Sequence, residues 1–143
     1  MSEAIPRALR VQVAEEARHR CGYCLTDQAI SGAQMHIEHI RPRARGGQTA
    51  RSNLWVSCAW CNSFKGTRVA APDPSTGVEV ALFNPREHDW SEHFRWDGGG
   101  TRIVGLTPTG RATVEALRLN NPYIVPARRL WVLAGWHPPT TGA

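Results

Sequence analysis

The feature that most limits what this chain can become is a repeated cysteine spacing. CGYC, Cys21 to Cys24, and CAWC, Cys58 to Cys61, hold all four cysteines of the sequence. A two-residue turn lets both sulfurs of a pair face one ion, and two such turns read as a closed tetrathiolate zinc site. Gly22 relaxes the first turn. Two redox dithiols or disulfides are the competing reading, although a thioredoxin-like centre needs only one such pair. Zinc would tie residue 21 to residue 61 and staple everything between them. Four thiolates also complete its coordination, so any catalysis must use other ligands.

The chain has 143 residues, enough for one modest core or for a metal-stapled unit with a small second subdomain. The expected fold class is α+β, with residues 1–70 as the zinc-stapled core and 71–143 as a C-terminal α/β extension. No apolar run of about 18 residues is present, so no membrane span is expected. The charged N-terminus lacks the apolar centre of a signal peptide, which makes the cytoplasm the expected location. Net charge is +5, and residues 1–66 carry nine basic and five acidic side chains against eight and seven in 67–143. The excess positive charge therefore accompanies the cysteines and histidines, which points to a polyanionic partner.

Pro6 to Arg20 reads as a helix with Leu9, Val13 and Ala17 on one stripe. Gln34 to Ile40 alternates as a short strand, Pro42 stops it, and a glycine-bearing loop with Arg41, Arg43, Arg45 and Arg51 on or beside it follows. Leu54 to Ser57 reads as a second strand, and CAWC leads into a brief helix ending by Gly66. APDPSTG, Ala71 to Gly77, has the composition of a linker. Val78 to Phe83 and Arg102 to Leu106 are strand candidates. Thr107 caps a helix from Pro108 to about Leu119, burying Ala112, Leu117 and Leu119. A last helix, Pro126 to Ala134, would place Leu130, Leu133 and Trp131 near a core, and the tail WHPPTTGA would fray.

Phosphodiester hydrolysis needs a divalent ion, a base for water, and cations to hold the backbone. HIEHIRP, His36 to Pro42, and its surroundings contain candidates for all three. Glu38 is a hard oxygen ligand for magnesium or manganese, and His39 titrates in the range of a general base. Asn62, directly after Cys61, could add its amide oxygen. Lys65 and the loop arginines Arg41, Arg43, Arg45 and Arg51 could bind phosphates.

The run HIEHIRPRARGGQTARSNLWVSCAWCNSFKG, with CGYC upstream, resembles the HNH endonuclease family, in its subgroup of ββα-metal cores braced by four zinc-binding cysteines. The resemblance covers about residues 18–68. It implies that Glu38 binds the catalytic ion, that His39 is the general base, that Asn53 orients the base and steadies the loop, and that Asn62 is the second metal ligand. The chain thus looks like an H–N–N variant carrying glutamate where aspartate or histidine is commoner.

The implied activity is hydrolysis of DNA, with RNA left open, by a monomer or homodimer. The alternative is a zinc-dependent nucleic-acid-binding module without catalysis. Each residue also has a plainer role: Glu38 as a solvated acid paired with Arg41 or Arg43, His39 as a structural histidine under the loop, Asn62 as a helix cap, Asn53 as a turn residue, and Lys65 as a solvated helix residue. His36 is read as a strand residue, with an auxiliary role open because it shares a strand face with Glu38. His88 and His93 are read as packing or surface residues.

Overall fold

The computed structural model describes residues 4–139, so the frayed tail expected at 140–143 lies outside the described residues. The first helix, α1 (Arg7–Glu16), begins at Pro6, whose φ of −55° suits a helix start. It buries Val13 completely against Leu54 and Val56, with Leu9, Met35 and Ile37 around them. The helix stops four residues before the expected end. Arg18 and His19 take left-handed φ values of 55° and 56°, turning the chain back so that Arg20 bridges to Asp27 across the first cysteine turn. A one-turn helix, α2 (Gln28–Ser31), is capped by the Asp27 carboxylate on Ala29 N–H at 2.8 Å.

The strands β1 (His36–His39) and β2 (Leu54–Ser57) pair antiparallel, with Glu38 opposite Trp55 and His39 opposite Leu54. Period-two alternation sends Leu54 and Val56 under α1. The loop between the strands closes on Gly47, where any Cβ would collide with the Arg41 carbonyl. Helix α3 (Ala59–Lys65) starts earlier than expected because Cys58 serves as its cap, its sulfur accepting from Cys61 N–H at 3.4 Å. Gly22 is needed for space: a Cβ there would strike the Trp55 indole.

Beyond residue 66 the expectation for APDPSTG changes. It is not a linker but the turn of a hairpin between β3 (Ala70–Pro72) and β4 (Glu79–Ala81). Asp73 accepts from Ser75 N–H at 3.0 Å and takes both Nε and Nη2 of Arg111 at 3.0 and 2.8 Å. A turn and a linker share this composition; the pairing of the buried Asp73 carboxylate with Arg111 separates them. The aromatic segment forms a short helix, α4 (Trp90–His93), and a strand that went unanticipated, β5 (Phe94–Asp97), which pairs with β6 (Arg102–Gly105). Thr107 caps α5 (Pro108–Ala116) through Gly110 N–H at 3.0 Å.

The final helix, α6 (Ile124–Leu133), turns the other way from the expected orientation. Leu130 and Leu133 are 66% and 79% exposed, whereas Arg128 is fully buried. Its guanidinium donates to the carbonyls of Leu119 at 2.7 Å and Thr101 at 3.1 Å and stands over the Trp96 ring. These directed bonds, invisible to hydropathy, set the helix face. Trp131 is half-buried beside the His137 ring.

The main hydrophobic cluster takes Cys21, Tyr23, Cys24, Leu25 and Cys61 from the first half and Phe83, Trp90, Phe94, Ile103, Leu117 and Leu119 from the second. Each fully buried Leu, Ile or Phe contributes about 1.5–3 kcal/mol, so the second half is packed on the cysteine turns rather than tethered beside them. The result is a small α+β fold around a four-cysteine cluster. Among the described residues no helix is long and apolar enough to cross a membrane.

Candidate active site and metal centre

The two cysteine turns converge as their spacing requires. All four Sγ atoms lie within 4.8 Å of one another, and Cys24 and Cys58 are 3.6 Å apart. Zinc–sulfur bonds of about 2.3 Å in a tetrahedron separate sulfurs by about 3.8 Å, so the set fits one zinc ion with small adjustments. Cys21, Cys24 and Cys61 are buried and Cys58 is half-buried, with all four free of disulfides. Trp90 donates its indole N–H to the Tyr23 carbonyl at 2.8 Å, so the second half of the chain clasps the first cysteine turn directly.

Glu38 projects inward from β1 and is only 6% exposed. The Tyr23 hydroxyl, from within the CGYC turn, donates to its Oε1, and Lys65 Nζ stands 3.7 Å from its Oε2. Burial pushes the Glu38 carboxyl above the usual carboxylate range, while the Lys65 charge and the Tyr23 hydrogen bond pull the other way. A carboxylate has about four lone-pair positions, and the tyrosine occupies one of them. The plainer alternative for Glu38, a solvated acid paired with Arg41 or Arg43, is replaced by a buried one paired with Lys65.

That pairing also corrects the reading of Lys65. It was expected to reach phosphate, but its side chain is 2% exposed and its ammonium donates to the Ile40 carbonyl at 2.9 Å. It lies under the loop that follows β1 as an internal support. A lysine on the last turn of a short helix gives no sequence sign of this, because its partners Glu38 and Ile40 lie 25 or more residues away in the chain.

His39 is half-buried, its Nε2 hydrogen-bonded to Thr49 Oγ1 at 2.8 Å. Burial, followed by the Arg43 charge, lowers the ring's pKa, which favours the neutral form that can accept a proton. Thr49 was not singled out from sequence; a threonine in a loop carries no distinguishing pattern. Asn53 acts on the loop backbone. Its Oδ1 accepts from Arg41 N–H at 2.9 Å, and its Nδ2 donates to the carbonyls of Arg41 at 3.0 Å and Gln48 at 2.9 Å. It thereby clamps both ends of the 41–48 segment, which Thr49 directly follows.

Asn62 lies half-buried on α3 and faces the same cavity, of about 330 Å³, as Glu38, His39 and Arg43. Glu38 brings a carboxylate and Asn62 an amide to the lining of this cavity, oxygen donors of the kind that hard divalent ions take. The arginines differ from one another. Arg41 donates to the Arg45 carbonyl at 3.1 Å and Arg45 to the Thr67 carbonyl at 2.6 Å, so both brace the loop while remaining exposed. Arg51 is joined to Glu16, which also takes both Nη atoms of Arg86 at 3.1 and 3.0 Å. Arg43 is exposed on the cavity wall.

His36 is exposed at the start of β1. His88 and His93 pack on Phe83 with ring centroids 5.8 and 5.7 Å from it, and His93 Nδ1 meets Thr107 Oγ1 at 2.6 Å. Among the described residues the four cysteines form the one group of three or more His, Cys, Asp or Glu able to hold a metal.

Residues 21–72 match the family model described as HNH endonuclease. A curated relative, the Septu protein PtuB of Bacillus mycoides (strain KBAB4), is 30% identical over 106 residues, an alignment covering 57% of this chain and 36% of that protein. The chain therefore spans about a third of the length of the curated relative it matches. No solved structure matches it. The matched segment and the cysteine cluster together identify an HNH-like, zinc-binding module within the chain.

Proposed function

We propose that the chain is a metal-dependent endonuclease that hydrolyses DNA phosphodiester bonds, with the β1–β2 hairpin and α3 working as a ββα-metal core. The observation that carries this reading is that Glu38, His39, Asn62 and Arg43 line one cavity. Glu38 and Asn62 would hold magnesium or manganese, which when bound supplies positive charge to offset the negative charge building on the phosphorane and the departing 3′ oxygen. His39, oriented by Thr49 through Nε2, takes a proton from water on its other ring nitrogen. The resulting hydroxide attacks phosphorus in line, the bond from phosphorus to the 3′ oxygen breaks, that oxygen takes a proton from solvent water, and the products carry 5′-phosphate and 3′-hydroxyl ends. Arg43 holds a substrate phosphate, Asn53 keeps the loop closed, and residues 71–143 buttress the cysteine turns.

One observation favours the alternative of a non-catalytic nucleic-acid-binding module: the Glu38 carboxylate already has Tyr23 and Lys65 as partners. Supercoiled, linear and single-stranded DNA incubated with Mg²⁺ or Mn²⁺ decides between the two. The nuclease reading expects cleavage by the wild-type protein that His39→Ala abolishes. Equal cleavage by both proteins, or salt-sensitive binding with no cleavage by either, rejects it.

A further inference from the structure

The chemistry above gives Tyr23 no part, yet its hydroxyl reaches the carboxylate assigned to the ion. The residue lies between Cys21 and Cys24, is fully buried, and donates to Glu38 Oε1 across 15 positions of the chain. A buried phenol needs an acceptor, and any nearby backbone carbonyl would satisfy it. Here the acceptor is the acid of the candidate site.

The tyrosine itself is held from several sides. Trp90 donates its indole N–H to the Tyr23 carbonyl at 2.8 Å, and the Phe83 ring meets the Tyr23 ring edge-on with centroids 6.4 Å apart. Gly22 N–H bonds to the Val56 carbonyl at 2.9 Å, which joins the cysteine turn to β2, the strand paired with the one that bears Glu38. The cysteines on either side belong to the four-sulfur cluster. The hydroxyl is therefore a fixed point.

Glu38 needs such a point, because a glutamate side chain has several rotatable bonds and a working ligand must be held within about 0.5 Å of its productive place. Lys65 does not supply that restraint. Its ammonium stands 3.7 Å from Oε2 and makes its shorter bond, 2.9 Å, to the Ile40 carbonyl. Lys65 brings charge, and Tyr23 brings direction. A carboxylate offers about four lone-pair positions, so the one taken by the tyrosine leaves others for an ion in the cavity that Glu38 lines. Metal-binding carboxylates are held by hydrogen bonds of this kind, and losing one costs about 10–100-fold in affinity or activity.

We infer that Tyr23 is a positioning residue for the catalytic ion: anchored by the cysteine turn, Phe83 and Trp90, it fixes the Glu38 carboxylate so that an oxygen is presented to the cavity. This rests on the nuclease reading and adds a link to the metal ligand from the zinc-binding turn and from the second half of the chain.

Two measurements on the zinc-loaded full chain test it. The first is Mn²⁺ binding without DNA, followed by the electron paramagnetic resonance of the free ion. Glu38→Gln should abolish the site. Tyr23→Phe, which removes only the hydroxyl, should bind Mn²⁺ about tenfold more weakly, with zinc content unchanged and DNA cleavage returning to near the wild-type rate at saturating Mn²⁺. A tyrosine that only fills space leaves that affinity alone. The second measurement needs no substitution at Tyr23. The chain has two tyrosines, so ζ-¹³C-tyrosine in a Tyr123→Phe background leaves one resonance. Mg²⁺ should shift it in step with ion binding, because an ion that draws charge from the carboxylate weakens its bond to the phenol, and Glu38→Gln should remove the shift.

Wild-type Mn²⁺ affinity in Tyr23→Phe overturns the positioning role and leaves the ion site standing, as does a Tyr23 resonance that Mg²⁺ does not move. If Tyr23→Phe loses its zinc, the resonance alone decides. Mn²⁺ binding that Glu38→Gln leaves unchanged, or no binding by the wild-type protein, rejects the metal assignment of the nuclease reading, and the role of Tyr23 falls with it.

Discussion

Replacing Lys65 by Met tests the most consequential rearrangement that folding imposes on this site. The ammonium donates to the Ile40 carbonyl at 2.9 Å and lies 3.7 Å from Glu38 Oε2, with side chains only 2% and 6% exposed. Removing the cation leaves a buried carboxylate held by Tyr23 alone and a carbonyl without its donor. Deleting one partner of a buried ion pair costs about 3–5 kcal/mol, a large share of the roughly 5–15 kcal/mol that keeps a domain folded. With a urea dependence of about 2 kcal/mol per molar, the unfolding midpoint of the zinc-saturated protein should fall by about 1.5–2.5 M. Combining Lys65→Met with Glu38→Gln should recover part of that loss, with a coupling of about 1 kcal/mol or more. The salt slope of DNA binding should remain that of wild type, because the ammonium reaches no phosphate. A midpoint shift below about 0.25 M, together with a slope reduced by about 0.9, would show that Lys65 is a surface phosphate contact and would refute the internal role.

Stripping zinc with a chelator at neutral pH should abolish the cooperative urea transition and shift Trp90 fluorescence, since Cys21, Cys24 and Cys61 belong to the main core and Trp90 bonds to the Tyr23 carbonyl; retention of both signals would count against a structural zinc. Glu16 is held at a pKa of about 2 by hydrogen bonds from Arg86 and then Arg51. A depressed carboxyl stabilises above its unfolded value of about 4.3 and loses that contribution as pH falls towards the folded value. Glu16→Gln should therefore be less stable by about 1 kcal/mol between pH 8 and 5, with the gap narrowing only below that range; narrowing between pH 7 and 6 would be incompatible. Arg128→Ala should cost about 3 kcal/mol or more by leaving the Thr101 and Leu119 carbonyls without their buried donor, whereas Leu133→Ser, at an exposed position, should stay within about 0.5 kcal/mol in the same urea assay.

The chemistry that can be read from residue order is the chemistry that is local. Two-residue cysteine turns, the alternation through His36–His39 and Leu54–Ser57, and Thr107–Pro108 at a helix start each depend on residues a few positions apart, and each forms as expected. Glu38, His39 and Asn62 also line one cavity, because the hairpin and α3 follow directly from those local signals.

Tertiary structure decided what surrounds them. Tyr23 reaches Glu38 across 15 positions, and Lys65 reaches Ile40 across 25, so the acid is buried and its lysine neighbour internal rather than facing phosphate. The hairpin at Asp73 exists because Arg111, 38 residues away, pairs with its carboxylate. Burial of Arg128 in place of Leu130 and Leu133 depends on carbonyls of Thr101 and Leu119 that only the folded chain presents. Spacing and hydropathy report side-chain preference along one dimension, whereas a buried charge is tolerated only where distant partners satisfy it, and that condition is met in three dimensions alone.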